Sequence, residues 1–114
     1  MSLKNAIDLS GRRILLTGAA GGIGAATARA CASLGASARM LADNGPMDEL
    51  RDELADQGVD VTTHQCDVSQ RQDNADLVAA AGDIDAAVAC AGICPLEEDW
   101  ADDPEWDQVF HRVM

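Results

Sequence analysis

The residues of this sequence with the clearest chemical use lie between Thr17 and Gly24, in the run Thr-Gly-Ala-Ala-Gly-Gly-Ile-Gly. Glycines at these spacings suit a turn that must lie close to an anion. Gly18 permits a sharp exit from a preceding strand. Gly22, lacking a side chain, lets backbone approach a pyrophosphate, and Gly24 lets the helix after the turn pack tightly on the sheet. Ala20, Gly21 and Ile23 complete the turn. A helix that starts here presents unpaired N–H groups and a partial positive charge to phosphate oxygens. About 20 residues downstream an acid, Asp43, ends a second apolar run, at the distance expected of a ribose-binding carboxylate. Such a carboxylate accepts hydrogen bonds from ribose hydroxyls and repels a 2′-phosphate. It therefore favours NAD over NADP, and Asn44 stands where an arginine would help to hold the extra phosphate.

These residues need elements to hold them, and the chain reads as strand and helix in alternation. Residues 13–17 form a short apolar run with the length of a buried strand. Small, helix-compatible residues run from Gly22 to Leu34, with Gly35 as the stop. A second strand is expected from Ser37 to Ala42. Pro46 can open a helix that carries Met47, Leu50 and Leu54 at helical spacing up to Gly58. A third strand is expected from Val59 to His64. Ser69 suits the N-cap of a helix through Ala81, and residues 84–89 suit a fourth strand. Residues 95–104 read as an acidic loop and Glu105 onwards as a helix. Strand–helix alternation with short connections implies a doubly wound α/β fold of Rossmann type. Its four-stranded parallel sheet has the order 3-2-1-4, with helices on both faces.

The spacing of Gly18, Gly22 and Gly24, and the whole run from Leu9 to Gly24, resemble the opening of short-chain dehydrogenases/reductases. Three later landmarks fall in the family's order. Asp67-Val68 matches the family's Asp-Val pair after the third strand. By that resemblance Asp67 caps the adenine amino group and Val68 packs on the ring. Ala89-Cys90-Ala91-Gly92 falls where the family has Asn-Asn-Ala-Gly, and Ile93 suits the family's next position. Both asparagines are replaced, while Ala91 and Gly92 keep the small side chains that close approach to the cofactor requires. The resemblance implies an NAD-binding site of Gly18, Ala20, Gly21, Gly22, Ile23, Gly24, Asp43, Asp67, Val68, Cys90, Ala91 and Gly92. It also implies hydride exchange with an alcohol or ketone substrate.

The family's proton-transfer residues have no counterpart here. The sequence has no tyrosine, no lysine after Lys4 and no serine after Ser69. His64 reads as a strand residue and His111 as part of the terminal helix, so neither replaces them. The family also uses an asparagine that holds a water relay; on one alignment it would fall a few residues beyond Met114, and on another, anchored at Trp106, Val113 takes its place. The resemblance therefore implies that residues 1–114 are a single dinucleotide-binding domain. They form the cofactor-binding part of a longer enzyme, inactive by themselves. The rival readings are a short module that binds NAD or another adenine nucleotide without catalysis, and a purely structural relative.

Composition limits the partners. The chain has 114 residues, with 20 Asp and Glu against 8 Lys and Arg, a formal charge of −12. That lack of a basic face argues against nucleic acid and anionic membranes. Only 3% of residues are aromatic, so the core must be built from aliphatic side chains. Cys31, Cys66, Cys90 and Cys94 have neither a CxxC spacing nor a zinc pattern, and no metal site is expected. They read as buried free thiols of a reducing compartment. The first residues form neither a secretory signal nor a membrane span, and the expected location is the cytoplasm. An apolar fourth strand covered on both faces, left without a fifth beside it, predicts self-association through its open edge. The terminal helix around Trp106, Val109 and Phe110 is expected to add to that contact.

Overall fold

The computed structural model describes residues 7–92. The expected loop at 95–104, the helix from Glu105, and Ile93 and Cys94 lie outside the described residues. Strands β1 (Arg13–Thr17), β2 (Ser37–Asp43), β3 (Val61–Gln65) and β4 (Ala86–Ala89) alternate with helices α1 (Gly22–Ser33), α2 (Asp48–Asp56) and α3 (Arg71–Ala81). The sheet is parallel throughout, in the order β3-β2-β1-β4. Because β1 and β4 are neighbours, the chain reverses its winding direction beside β1. A crevice outside the C-terminal strand ends at such a point is where this class of sheet binds ligands.

Two apolar layers hold the sheet between the helices. Leu16, Ala19, Ala28, Ala38, Leu41, Met47, Leu50 and Leu54 form one with α1 and α2. Leu15, Met40, Ala42, Cys66, Leu77 and Ala81 form the other beneath α3. Among the described residues both layers are built from Leu, Ala, Met and Cys side chains.

Strand β2 carries an irregularity that sets this division. Between Ala38 and Leu41 it has one residue more than either neighbour, as shown by the pairs Arg13↔Ser37 then Leu15↔Met40, and Ala38↔Val61 then Leu41↔Thr63. In a regular strand Ala38 and Met40 would share a face. The bulge sends Ala38 to the α1 layer and Met40 to the α3 layer. Arg39 beside it donates from Nε to the carbonyl of Ala81 at 2.9 Å, a cation at the C-terminal end of α3.

Several expected boundaries move, each for a local reason. Helix α2 starts at Asp48 with Met47 as its N-cap, and Pro46 lies outside it. The N–H of Val59 bonds back to the Leu54 carbonyl at 3.0 Å, closing the exit of α2, so β3 begins only at Val61. Ser69 is not the cap of α3. Its N–H and hydroxyl both donate to Asp67 Oδ1, the chain is still turning, and Gln70 takes the cap position. That serine bonding holds the Asp67 carboxyl below the usual carboxylate range. Asp85, expected within a strand, instead ties β4 to the start of β1. Its N–H reaches the Arg13 carbonyl at 2.8 Å, and the Arg13 N–H donates to its carboxylate at 2.7 Å. The Arg13 N–H lowers the Asp85 pKa from its ordinary value.

Two burial expectations are corrected. Strand β4 is not covered on both faces: Ala86, Ala87 and Ala89 are exposed and Val88 is half-buried. Among the described residues no strand lies on its outer side and no helix packs closely on it. Of the described thiols, only Cys66 is buried; Cys31 and Cys90 are half-buried, and all three are free. Burial pushes the Cys66 thiol up, and the charges of Asp73 and Asp67 add to this. No described helix is long and apolar enough to cross a membrane.

Candidate cofactor site

The candidate residues collect along one edge of the sheet, at the C-terminal ends of all four strands. The centre is the turn after β1. Gly18 has φ +72°, and a Cβ there would lie 2.7 Å from backbone atoms of Cys90 and Ala91. Its glycine is therefore required twice, by the turn and by the backbone crossing beside it. A Cβ on Gly24 would drive into the Gly18 carbonyl, so the close approach at Gly24, expected against the sheet, is made against the turn instead. The Gly21 N–H donates to the Gly18 carbonyl at 3.1 Å and Gly21 is the N-cap of α1.

Gly22 differs from both. Apart from the adjoining residues and the helix's own backbone, no atom of the described residues lies within 4 Å of where its Cβ would stand. The fold does not need glycine there, whereas a phosphate group approaching the backbone would. Helix α1 has no side-chain cap and no acid in its first turn, so no acid of its own first turn answers its N-terminal N–H groups. Ile23 is 79% exposed at that end.

Asp43 reaches across to this turn. Its Oδ2 accepts the N–H of Ala20 at 2.9 Å, and its Oδ1 accepts the N–H of Gly45 at 2.8 Å. Its backbone carbonyl accepts the Cys66 N–H at 2.9 Å, while Ala19 N–H bonds to the Ala42 carbonyl at 3.2 Å. Beyond Cys66, Asp67 turns its Oδ1 to Ser69, and α3 fixes the loop. Asp73 accepts the Asp67 N–H, and Asn74 donates to the Val68 carbonyl, each at 2.9 Å. Val68 is 41% exposed. On the far side of β1, the Cys90 N–H donates to the Thr17 carbonyl at 3.2 Å and the Ala91 N–H to Thr17 Oγ1 at 3.4 Å. Gly92 borders open space.

The structure thus joins the glycine turn directly to Asp43 and to Cys90-Ala91, and joins Asp67-Val68 to them through Cys66. Sequence reasoning missed Gly45, Asp73 and Asn74 as supports. The Asp43-Asn44-Gly45 pattern is an Asx-turn signal that could have found Gly45; the other two left no local signal. No group of three or more His, Cys, Asp or Glu suited to a metal occurs among the described residues.

A family profile described as short chain dehydrogenase matches residues 12–114, nearly the whole chain. The chain belongs to the short-chain dehydrogenase family. It is 41% identical to part of a glycine betaine reductase of Emericella nidulans, a match that covers 75% of this chain and 7% of that protein. It is 36% identical to a hydroxyacyl-CoA dehydrogenase of Mycobacterium tuberculosis, over 93% of this chain and 37% of that one. The crystal structure of a short-chain dehydrogenase/reductase from Mycobacterium marinum superposes with a TM-score of 0.84 at 32% identity. That match covers 98% of this chain and 48% of its own. The chain therefore spans less than half the length of each of these relatives. Short-chain dehydrogenases are oxidoreductases that use nicotinamide cofactors. The open space at Gly22 and the uncapped start of α1 fit the phosphates of such a group.

Proposed function

We propose that this chain is the NAD-binding portion of a short-chain oxidoreductase. In this reading the enzyme moves a hydride between the nicotinamide cofactor and an alcohol or ketone substrate. One observation carries it: an acid, Asp43, sits at the end of β2 within hydrogen-bond distance of the glycine turn. A bound nicotinamide dinucleotide supplies the hydride acceptor or donor. The chain's own residues hold it. Gly21, Gly22, Ile23 and Gly24 offer backbone and helix terminus to the pyrophosphate. Asp43 lies where adenosine-ribose hydroxyls are read and a 2′-phosphate is repelled, which favours NAD over NADP. Exposed Val68 offers an apolar surface to the adenine ring, with Asp67 at its edge. Cys90, Ala91 and Gly92 border the other side of β1.

The proton-transfer groups of the reaction are assigned to residues outside this sequence, since it has no tyrosine and its one lysine is Lys4. Residues 1–114 then form one cofactor-binding domain of a longer cytoplasmic enzyme. The same absence favours a second reading, a module that binds NAD or another adenine nucleotide and catalyses nothing. Calorimetry with NAD and NADP, followed by an alcohol-oxidation assay on the same sample, tests both readings. NAD is expected to bind at least about 10-fold more tightly than NADP, a difference of about 1.4 kcal/mol, with no NADH formed. Equal affinities would sink the NAD assignment. Sustained NADH production by the pure chain would sink the assignment of the catalytic groups elsewhere. The length of the natural reading frame separates the two readings.

We also propose self-association at the outer edge of β4, where Ala86, Ala87 and Ala89 are exposed and no strand pairs among the described residues. Light scattering over a range of concentrations is expected to give a mass above that of one 11.9 kDa chain. A constant monomer mass would mean that the edge is covered.

A further inference from the structure

We infer that Asp43 is a positioning residue that sets the shape of the glycine turn before any ligand arrives. This inference rests on the reading of that turn as a phosphate site. The contact expected of such an acid is with ribose hydroxyls alone. Here both carboxylate oxygens already accept backbone N–H groups from two different segments. Oδ2 takes Ala20, 23 residues away in the glycine turn, and Oδ1 takes Gly45, two residues on. The surroundings leave little freedom. A Cβ at Gly45 would stand 3.3 Å from Asp43 Oδ1 and 3.7 Å from the Ala20 side chain. The main chain of Asp43 is pinned by Cys66, and the Gly45 carbonyl accepts from Gln65 Nε2 at 3.2 Å. One side chain thus fastens the phosphate-facing turn to the framework at the ends of β2 and β3. Each oxygen retains lone-pair capacity for a hydroxyl, so bracing and ribose contact are compatible. Ala20 is the middle of the turn, flanked by Ala19, which is wholly buried, and by the Gly21 cap. Fixing its N–H orients the residues that lead to Gly22.

The consequence is that replacing Asp43 should weaken the cofactor even where no ribose hydroxyl exists to be lost. Two measurements on the full chain separate this from a ribose-only role. The first needs no cofactor: amide hydrogen exchange of the isotope-labelled protein. In Asp43→Ala, the Ala20 and Gly45 amides are expected to exchange about 10-fold faster, on the scale of a lost charge-assisted hydrogen bond. The amides of Leu16 and Leu41 should be unchanged. Unchanged exchange at Ala20 and Gly45 would overturn the inference. If the alanine variant does not fold, Asp43→Asn decides instead. With one acceptor oxygen it can protect only one of the two amides, and full protection of both would overturn the inference.

The second measurement is a cycle between variant and ligand, using NAD and an NAD whose adenosine ribose lacks both hydroxyls. A brace leaves an Asp43→Ala loss of about 5-fold or more with the dideoxy ligand, less than the 10-fold of a full charge-assisted bond because the site is partly solvated. Disappearance of the loss with that ligand would overturn the inference. Should the unmutated chain bind neither nucleotide, the NAD reading fails, and the exchange experiment still decides whether Asp43 braces the turn.

Discussion

Gly22→Val is expected to remove NAD binding while leaving the fold in place. The two halves of that expectation have separate causes. Beyond its adjoining residues and the helix's own backbone, no atom of the described residues lies within 4 Å of the position a Gly22 Cβ would take, and the residue stands at the first position of α1. A side chain there has room, and the helix cost of exchanging glycine for valine is small or favourable. Stability should therefore change by less than about 1 kcal/mol, in line with a surface substitution. In the proposed site the same open space is where the pyrophosphate comes close to backbone N–H groups. A branched side chain would hold it off and forfeit one or two charge-assisted hydrogen bonds, a loss of about 100-fold or more in affinity. Calorimetry for the cofactor and circular dichroism with urea unfolding for the fold check the pair. An unchanged dissociation constant would show that the turn does not hold phosphate. A large fall in stability would show that Gly22 serves the fold and not a ligand.

The separate roles of Gly18, Gly22 and Gly24 were legible in the sequence, but the groups that Gly18 and Gly24 press against were not. Their spacing was enough to place a turn between β1 and α1, because only local backbone geometry is involved. What each glycine faces is a long-range matter. Gly18 is pressed by the backbone of Cys90 and Ala91, more than 70 residues away, and Gly24 by the carbonyl of Gly18. The strands around the site were legible for the same local reason: β1 fills the apolar run before the turn, and β2 ends at Asp43. The order β3-β2-β1-β4 came from alternation and crossover handedness. Where side chains compete with the helix for backbone groups, the boundaries shifted. Asp67 captured Ser69, displacing the cap of α3 by one residue. The bulge in β2 left no mark, since Ala38, Met40, Leu41 and Ala42 are all apolar and would suit either face. The exposure of β4 was missed because an apolar run says that a strand can be covered, not that it is.

Gly24→Ala is expected to destabilise the chain, against the ordinary preference of helices. In the interior of an exposed helix, alanine is favoured over glycine by about 1 kcal/mol. Gly24 is a helical residue, so propensity alone predicts a gain. Packing predicts the opposite. The new Cβ would run into the Gly18 carbonyl and stand 3.2 Å from the Cα of Ala19. Neither is the end of a flexible side chain. Gly18 is held by its positive φ and by the Cys90-Ala91 backbone on its other side, and Ala19 is wholly buried. Overpacking into a site that can yield costs about 1–3 kcal/mol, and a rigid backbone neighbour places this case at or above the upper end. The clash therefore outweighs the propensity gain, leaving a net loss of about 2 kcal/mol or more from a domain whose total stability is about 5–15 kcal/mol. Urea unfolding measures it as a lowered midpoint with little change in slope. The turn that α1 pushes aside is the one that faces Gly22, so NAD affinity should fall in the same variant even below its unfolding transition. A raised midpoint would mean that α1 can slide away from Gly18, and that the tight seat of this helix on the turn is not what holds the site in shape.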